Sequence, residues 1–328
     1  MNRRTPLRAL LAVTVAAVAA ASAPAVLAQA WPNKPITFVV PFPPGGGTDA
    51  FARPLSAQLT KQLGRQVVID NRGGAGGTVG ASIAAKAAPD GYTFFIGAVH
   101  HAIAPSFYPK LDYDIEKDLV PMTVIARPPQ VIVVNPNRVP ATDLKSLIEQ
   151  MRKSPGKMNY GSAGNGTSHH LAGELFKQLS KTFIVHIPYR GAGPALQDLI
   201  GGNVDMMFDG LGSSAQHIRS GRIRALAVAA PQRVAAFPNL PTAAEAGLPG
   251  YEVATWYGIW AVRGTPKEIV DRMFDEVTKA LASQEVRDAW TLNGSDIPSV
   301  SQAEFARFLN TEIKRWAQVT KTSGAKLD

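Results

Sequence analysis

From residue 36 onward two hydrophobic patterns take turns along the chain. Ile36-Thr-Phe-Val-Val-Pro-Phe42 is a continuous apolar run rich in β-branched residues, as expected of a strand buried on both faces. Gly45-Gly46-Gly47 stop it, and Thr48 caps a predicted helix with Phe51, Leu55, Leu59 and Leu63 on one side and Pro54 inside. The pattern repeats as a strand over Gln66–Asp70, a glycine-rich run from Gly73 to Gly77, a helix over Thr78–Lys86, a Pro89-Asp90-Gly91 turn and a strand over Tyr92–Gly97. A second series starts at Val131-Ile-Val-Val-Asn135, with a helix capped by Thr142 and running to Lys153. It continues through Asn159-Tyr160-Gly161, a helix over Ser168–Leu179, and strands over Phe183–Ile187, Val204–Phe208 and Ala225–Ala229. A last strand, Thr255–Ala261, precedes two helices signed by capping boxes, Thr265-Pro266-Lys267-Glu268 and Ser301-Gln302-Ala303-Glu304.

Alternating β and α elements predict an α/β protein with parallel sheets covered by helices, in two βα lobes. If the last helices fold back onto the first lobe, the chain crosses near Arg127–Gln130 and again near Pro249–Glu252, and two crossings make a hinge. Lobe 1 is then residues 31–129 with 251–328, and lobe 2 is residues 130–250.

Residues 1–30 read as an export signal. Arg3, Arg4 and Arg8 flank an apolar run from Ala9 to Ala21, shorter than the ~20 residues that span a bilayer. Small residues allow cleavage after Ala28 or Ala30, and the periplasm is the expected destination. Losing the signal takes the net charge from +9 to about +6, with no basic stripe interleaved with aromatics, so nucleic acid is not an expected partner. There is no cysteine in the 328 residues, and stability must come from burial.

The chemistry sits in the loops. Pro43–Asp49, Gly73–Thr78 and Tyr160–Ser168 each follow a strand and precede a helix, placing unpaired backbone N–H groups at a helix N-terminus, where negative charge is favoured. Such loops lie outside the carboxyl ends of the strands, where open α/β sheets bind ligands. Gly45-x-Gly47-x-x-Ala50 also matches part of a dinucleotide fingerprint, but Pro43-Pro44 stiffens the turn and export removes the chain from the nucleotide pool. No Gly-x-Ser-x-Gly elbow exists, so no catalytic residue is assigned. His100-His101 and His169-His170 lack the spacing of metal ligands, and neither metal nor cofactor is expected. His100 and His170 adjoin the loops, where imidazole can donate to a carboxylate. Asp49 falls in a first helical turn, where the dipole favours it. Asp209 ends a strand, where it either orients loops or meets a ligand hydroxyl. Tyr189 offers a wall and a hydroxyl, and Arg190 either clamps a carboxylate or stays solvated.

These loops spell a known order. Pro-Phe-Pro-Pro-Gly-Gly-Gly-Thr-Asp49, Asn71-Arg72-Gly-Gly-Ala-Gly-Gly77 and Pro89-Asp90-Gly91-Tyr92 resemble the Bug-type receptors of tripartite tricarboxylate transporters. So do Tyr160 through Leu171, Pro188 through Ala195, and Asp198 through Asp205. The resemblance implies a type II periplasmic binding protein fold whose cleft closes on a small carboxylic acid, and no enzyme activity. Partners would be membrane transporter subunits or a sensor kinase, and the receptor would be a monomer. Carried over, Phe42, Gly46 and Asp49 belong to the first mouth loop, Gly77 and Thr78 to the second, and Ser162, Asn165, Thr167 and His170 to the opposing lobe. Ala98-Val99-His100-His101 departs from the small hydroxyl residues of many relatives, which leaves both an aliphatic dicarboxylate and an aromatic acid open. The other functional class is a periplasmic hydrolase or lyase using His100, His170 and Asp209.

Overall fold

The chain's structure is a computed structural model that describes residues 31–323, so the export signal and its cleavage positions lie outside the described residues. β1 (Ile36–Val40) leads into α1 (Gly47–Leu63), β2 (Val67–Asn71), α2 (Thr78–Ala85), β3 (Thr93–Ala98), α3 (His100–Phe107) and β4 (Leu119–Ala126). Then come β5 (Gln130–Val134), α4 (Leu144–Lys153), β6 (Asn159–Ser162), α5 (Ser168–Ser180), β7 (Val185–Pro188), α6 (Ala192–Gly201), β8 (Met206–Gly210), α7 (Leu211–Arg219) and β9 (Arg224–Val228). The chain returns through β10 (Tyr257–Val262) to α8 (Lys267–Ala282), α9 (Gln284–Leu292) and α10 (Gln302–Ser323).

Two five-stranded sheets result, ordered β2-β1-β3-β10-β4 and β7-β6-β8-β5-β9. The expectation of parallel sheets is corrected. β1 runs parallel to β2 and β3, but β10 is antiparallel to β3 and β4; β6 runs parallel to β7 and β8, but β5 is antiparallel to β8 and β9. β5 and β10 are the strands that arrive directly from the other sheet, and each enters its sheet against the direction of its neighbours. The two connecting segments lie side by side, joined by a Pro129–Ala254 bridge, by Gln130 N donating to Val253 O (3.1 Å) and by Thr255 N donating to Pro128 O (3.3 Å).

Apolar runs become buried strands because both faces of each sheet are covered. Along β5, Ile132 and Val134 pack with Tyr160, Phe176 and Phe208, whereas Val131 and Val133 pack with Leu196, Leu199 and Leu211. In the first sheet Phe95 and Trp260 pack with Phe305, Leu309 and Trp316 of α10, and Trp290 of α9 donates Nε1 to Ile125 O (2.6 Å).

Four helix starts differ from the sequence reading. α1 opens at Gly47 with Gly46 in the cap position, so Thr48, expected as the cap, lies inside the first turn. α4 is capped by Asp143, not Thr142; its carboxylate accepts from Ser146 N at 2.7 Å. The Ser301–Glu304 box forms, with Ser301 N donating to Glu304 Oε2 (2.9 Å) and Glu304 N to Ser301 Oγ (3.3 Å). The Thr265 box does not form, because extended Pro266 (φ −52°, ψ 136°) takes the cap position and leaves Thr265 one residue early. α9, absent from the two-helix expectation, follows Ser283. Asp143→Ala is expected to destabilise the protein through the lost cap bond, read as a lower denaturant midpoint with an unchanged slope.

Candidate functional site

The first loop is tied from within. Asp49 Oδ2 accepts from Gly45 N (3.0 Å) and Arg53 Nε (2.7 Å), and Oδ1 accepts from Asn71 Nδ2 (3.2 Å), which also donates to Phe42 O (2.8 Å). Asp49 therefore has both oxygens engaged in fixing the loop to the end of β2. In the second loop Thr78 Oγ1 donates to Ala75 O (2.9 Å). Gly77 has φ 95°, and a Cβ there would lie 2.8 Å from Phe42 Cζ, so the Phe42 ring lies against the Gly77 backbone.

Across the cleft, Thr167 caps α5, accepting from His170 N (3.5 Å) while its hydroxyl donates to Gly164 O (2.7 Å). Ser162 Oγ accepts from Gly164 N (3.0 Å) and lies 2.6 Å from His186 Nε2. His170 Nδ1 accepts from Gly166 N (3.2 Å), and its ring stacks on His186 with centroids 4.1 Å apart. These three side chains shape the third loop. Tyr189 Oη donates to Asp198 Oδ2 (2.6 Å), and Arg190 stands exposed.

The loops of the two lobes meet. Tyr108 Oη donates to Asn165 O (2.7 Å) beside Gly76. A Cβ on Gly46 would lie 3.5 Å from Gly193 N and 3.6 Å from Ala192 Cβ, and one on Gly191 would lie 2.8 Å from Pro43 Cδ. His100 Nδ1 accepts from Ser168 N (3.1 Å), so a first-lobe imidazole sits on the N-terminus of a second-lobe helix. That bond needs an unprotonated Nδ1, and burial, with His169 and His101 nearby, holds the ring's pKa well below its ordinary value.

Residues 51–325 match the model of the tripartite tricarboxylate transporter family receptor. The chain belongs to this receptor family. BugT of Bordetella pertussis is 37% identical over 325 residues, covering 98% of this chain and 99% of BugT. The solved periplasmic binding protein BugD superposes with a TM-score of 0.87 at 33% identity, over 90% of this chain and 99% of BugD. An adipate-bound protein of R. palustris gives 0.87 at 40% identity, over 90% of this chain and 100% of that one. MatC of Rhodopseudomonas palustris, solved with malate, gives 0.82 at 36% identity, over 88% and 99%. The receptor thus has the two-lobe periplasmic binding fold. Among the described residues no helix is long and apolar enough to cross a membrane, and no group of His, Cys, Asp or Glu could hold a metal ion.

Within the receptor, Phe42, Gly46, Gly77, His100 and Asn165 come together where the lobes meet. Asp49, Thr78, Ser162, Thr167, His170 and Tyr189 surround them, and the hydrogen bonds described above hold each within its own lobe. Asp209 lies deeper, fully buried, with Oδ2 accepting from Ser213 Oγ (2.7 Å) and Ser214 Oγ (2.5 Å). The sequence reading missed its neighbours. His169 Nε2 is 3.7 Å from Asp209 Oδ1, and Gln130 Nε2 donates to Ser168 Oγ (3.0 Å). The Tyr257 hydroxyl fills the space beside Gly47 and Gly210. Asp209-Gly210 end β8 and Leu-Gly-Ser-Ser214 open α7, a glycine-bearing helix entrance directly after a strand, and the rule that picked the three loops would have found it.

Proposed function

We propose that the receptor is a periplasmic solute-binding protein that closes residues 31–129 with 251–328 against residues 130–250 on a small carboxylate. The observation that carries this is the meeting of glycine-bearing helix entrances from both lobes, α1 against α6 and the Gly73–Gly77 turn against the loop before α5. Backbone N–H groups at helix N-termini bind anions without a cationic clamp. The paired crossings at residues 127–130 and 252–255 supply the hinge. The adipate and malate held by its structural relatives are acids of this class. The captured solute would pass to membrane transporter subunits or be presented to a sensor kinase, by a monomer.

A thermal-shift screen of adipate, malate, succinate and benzoate tests the reading. An acid at one hundred times its Kd should stabilise the receptor by about 2.7 kcal/mol, and it should be recovered unchanged after long incubation. Silence across a broad carboxylate panel would overturn the proposal, and product formation would favour a hydrolase or lyase.

A further inference from the structure

Behind the loops lies a buried group whose chemistry they do not share. Asp209 is fully buried, and with Oδ2 taken by two serines its Oδ1 has no hydrogen-bond partner. His169 Nε2, at 3.7 Å, stands beyond hydrogen-bond reach, and His169 Nδ1 has no partner either. Gln130, 1% exposed, uses Nε2 on Ser168 and leaves Oε1 unpartnered. Gln130 joins the group through Ser168, the residue before His169. The group is continuous with the loop site: His169 packs edge-on against His100 (5.6 Å between centroids), and His100 edge-on against Phe42 (5.2 Å). The first lobe closes the other side, since a Cβ on Gly47 would lie 3.7 Å from Ser213 Oγ.

Of the three unpartnered atoms, a carboxylate oxygen and an amide oxygen can only accept, and an imidazole nitrogen can do so. A carboxylate group of the solute would be repelled there by Asp209, whereas a hydroxyl or ammonium would be held. We propose that Asp209, with Gln130 and His169, forms a subsite that reads a hydrogen-bond donor on the carbon skeleton of the bound acid. The receptor then selects hydroxy- or amino-substituted carboxylates over their plain counterparts. This deepens the carboxylate reading above and rests on it. Sites built to pair a donor reject the analogue lacking it because their own acceptors are left unpaired.

The test is calorimetric titration with matched sets: succinate, malate and aspartate; glutarate, 2-hydroxyglutarate and glutamate; adipate and 2-hydroxyadipate. In the set of preferred length, a substituted acid should bind roughly tenfold or more tightly than the plain one, as expected of a hydrogen bond to a charged group. The hydroxy and amino members show which donor is taken. Asp209→Asn should collapse that ratio toward one, and Gln130→Leu should reduce it. Plain acids binding as tightly as substituted ones would overturn the subsite and leave the carboxylate reading standing; no acid binding at all would remove both. If neither variant folds, the wild-type ratio decides alone.

Discussion

Gly193→Ala is expected to weaken carboxylate binding by roughly two orders of magnitude while leaving the receptor at least as stable as before. Gly193 is the second residue of α6, and its backbone is not in the left-handed region that favours glycine. Alanine suits a helix better than glycine by up to about 1 kcal/mol, so nothing in the second lobe opposes the change. The cost arises across the cleft. The new Cβ would lie 2.3 Å from Pro44 O and 3.3 Å from both Gly45 C and Gly46 N. These are backbone atoms of a loop pinned by Asp49 and Asn71, and no side-chain rotation relieves the overlap. Only separation of the lobes does, and the apparent affinity falls with the fraction of molecules still able to close. A hundredfold loss corresponds to about 2.7 kcal/mol placed on the closed state. Gly201→Ala, at the far end of the same helix, meets only Asn203 Nδ2 at 3.6 Å and serves as the control. Titration of both variants with the best acid decides the matter: equal affinities would mean that the α1–α6 contact is absent from the liganded receptor.

That contact also marks where the sequence stops speaking. The strand–glycine–helix units were legible because each is local: β1, β3 and β5 are apolar runs of the right length, and the turns after β1 and β2 carry glycine where φ is positive, as at Gly45 (φ 84°) and Gly77 (φ 95°). Strand direction is not local, so the antiparallel entry of β5 and β10 could not be read from their residues. The loops were found for the right reason, yet the use of each polar side chain was not. A threonine opening a helix carries the same local pattern whether it faces a solute or, like Thr78, its own loop. In the His169-His170 pair both rings are buried, and only the packing of α5 turns His169 toward Asp209 and His170 toward His186. Asp209 was legible as an unexplained strand-end carboxylate, whereas its partners come from α5 and α7.

The same buried histidines make the receptor sensitive to acid. Burial pushes His101 down from 6.5 to about 4, partly offset by its backbone contacts at Ala98 and Gly77, which are 3.0 and 3.3 Å from the ring. Burial chiefly, with His170 and Lys177 adding to it, pushes His186 down to about 3, and His100 and His169 are lowered in the same direction. Each group is harder to protonate in the folded chain than in the unfolded one, so between the two pKa values the unfolded chain binds more protons. The stabilisation is complete above pH 6.5 and is lost as pH falls toward 4. Fully buried His101 alone changes the balance by about 1.4 kcal/mol per pH unit, or about 3 kcal/mol across its window. Carboxylates held below their ordinary range, Asp143 by its cap bonds to Ser146 among them, add to the loss only at lower pH. Denaturant midpoints at pH 7, 6 and 5 therefore isolate the histidines, and the expected result is a steep fall that flattens by about one proton's worth in His101→Gln. A stability that stays level from pH 7 to 5 would mean that these rings titrate in the folded protein as they do in water. Acid should also weaken solute capture, because a protonated His100 Nδ1 can no longer accept from Ser168 N and the lobes lose the bond that joins α3 to the entrance of α5.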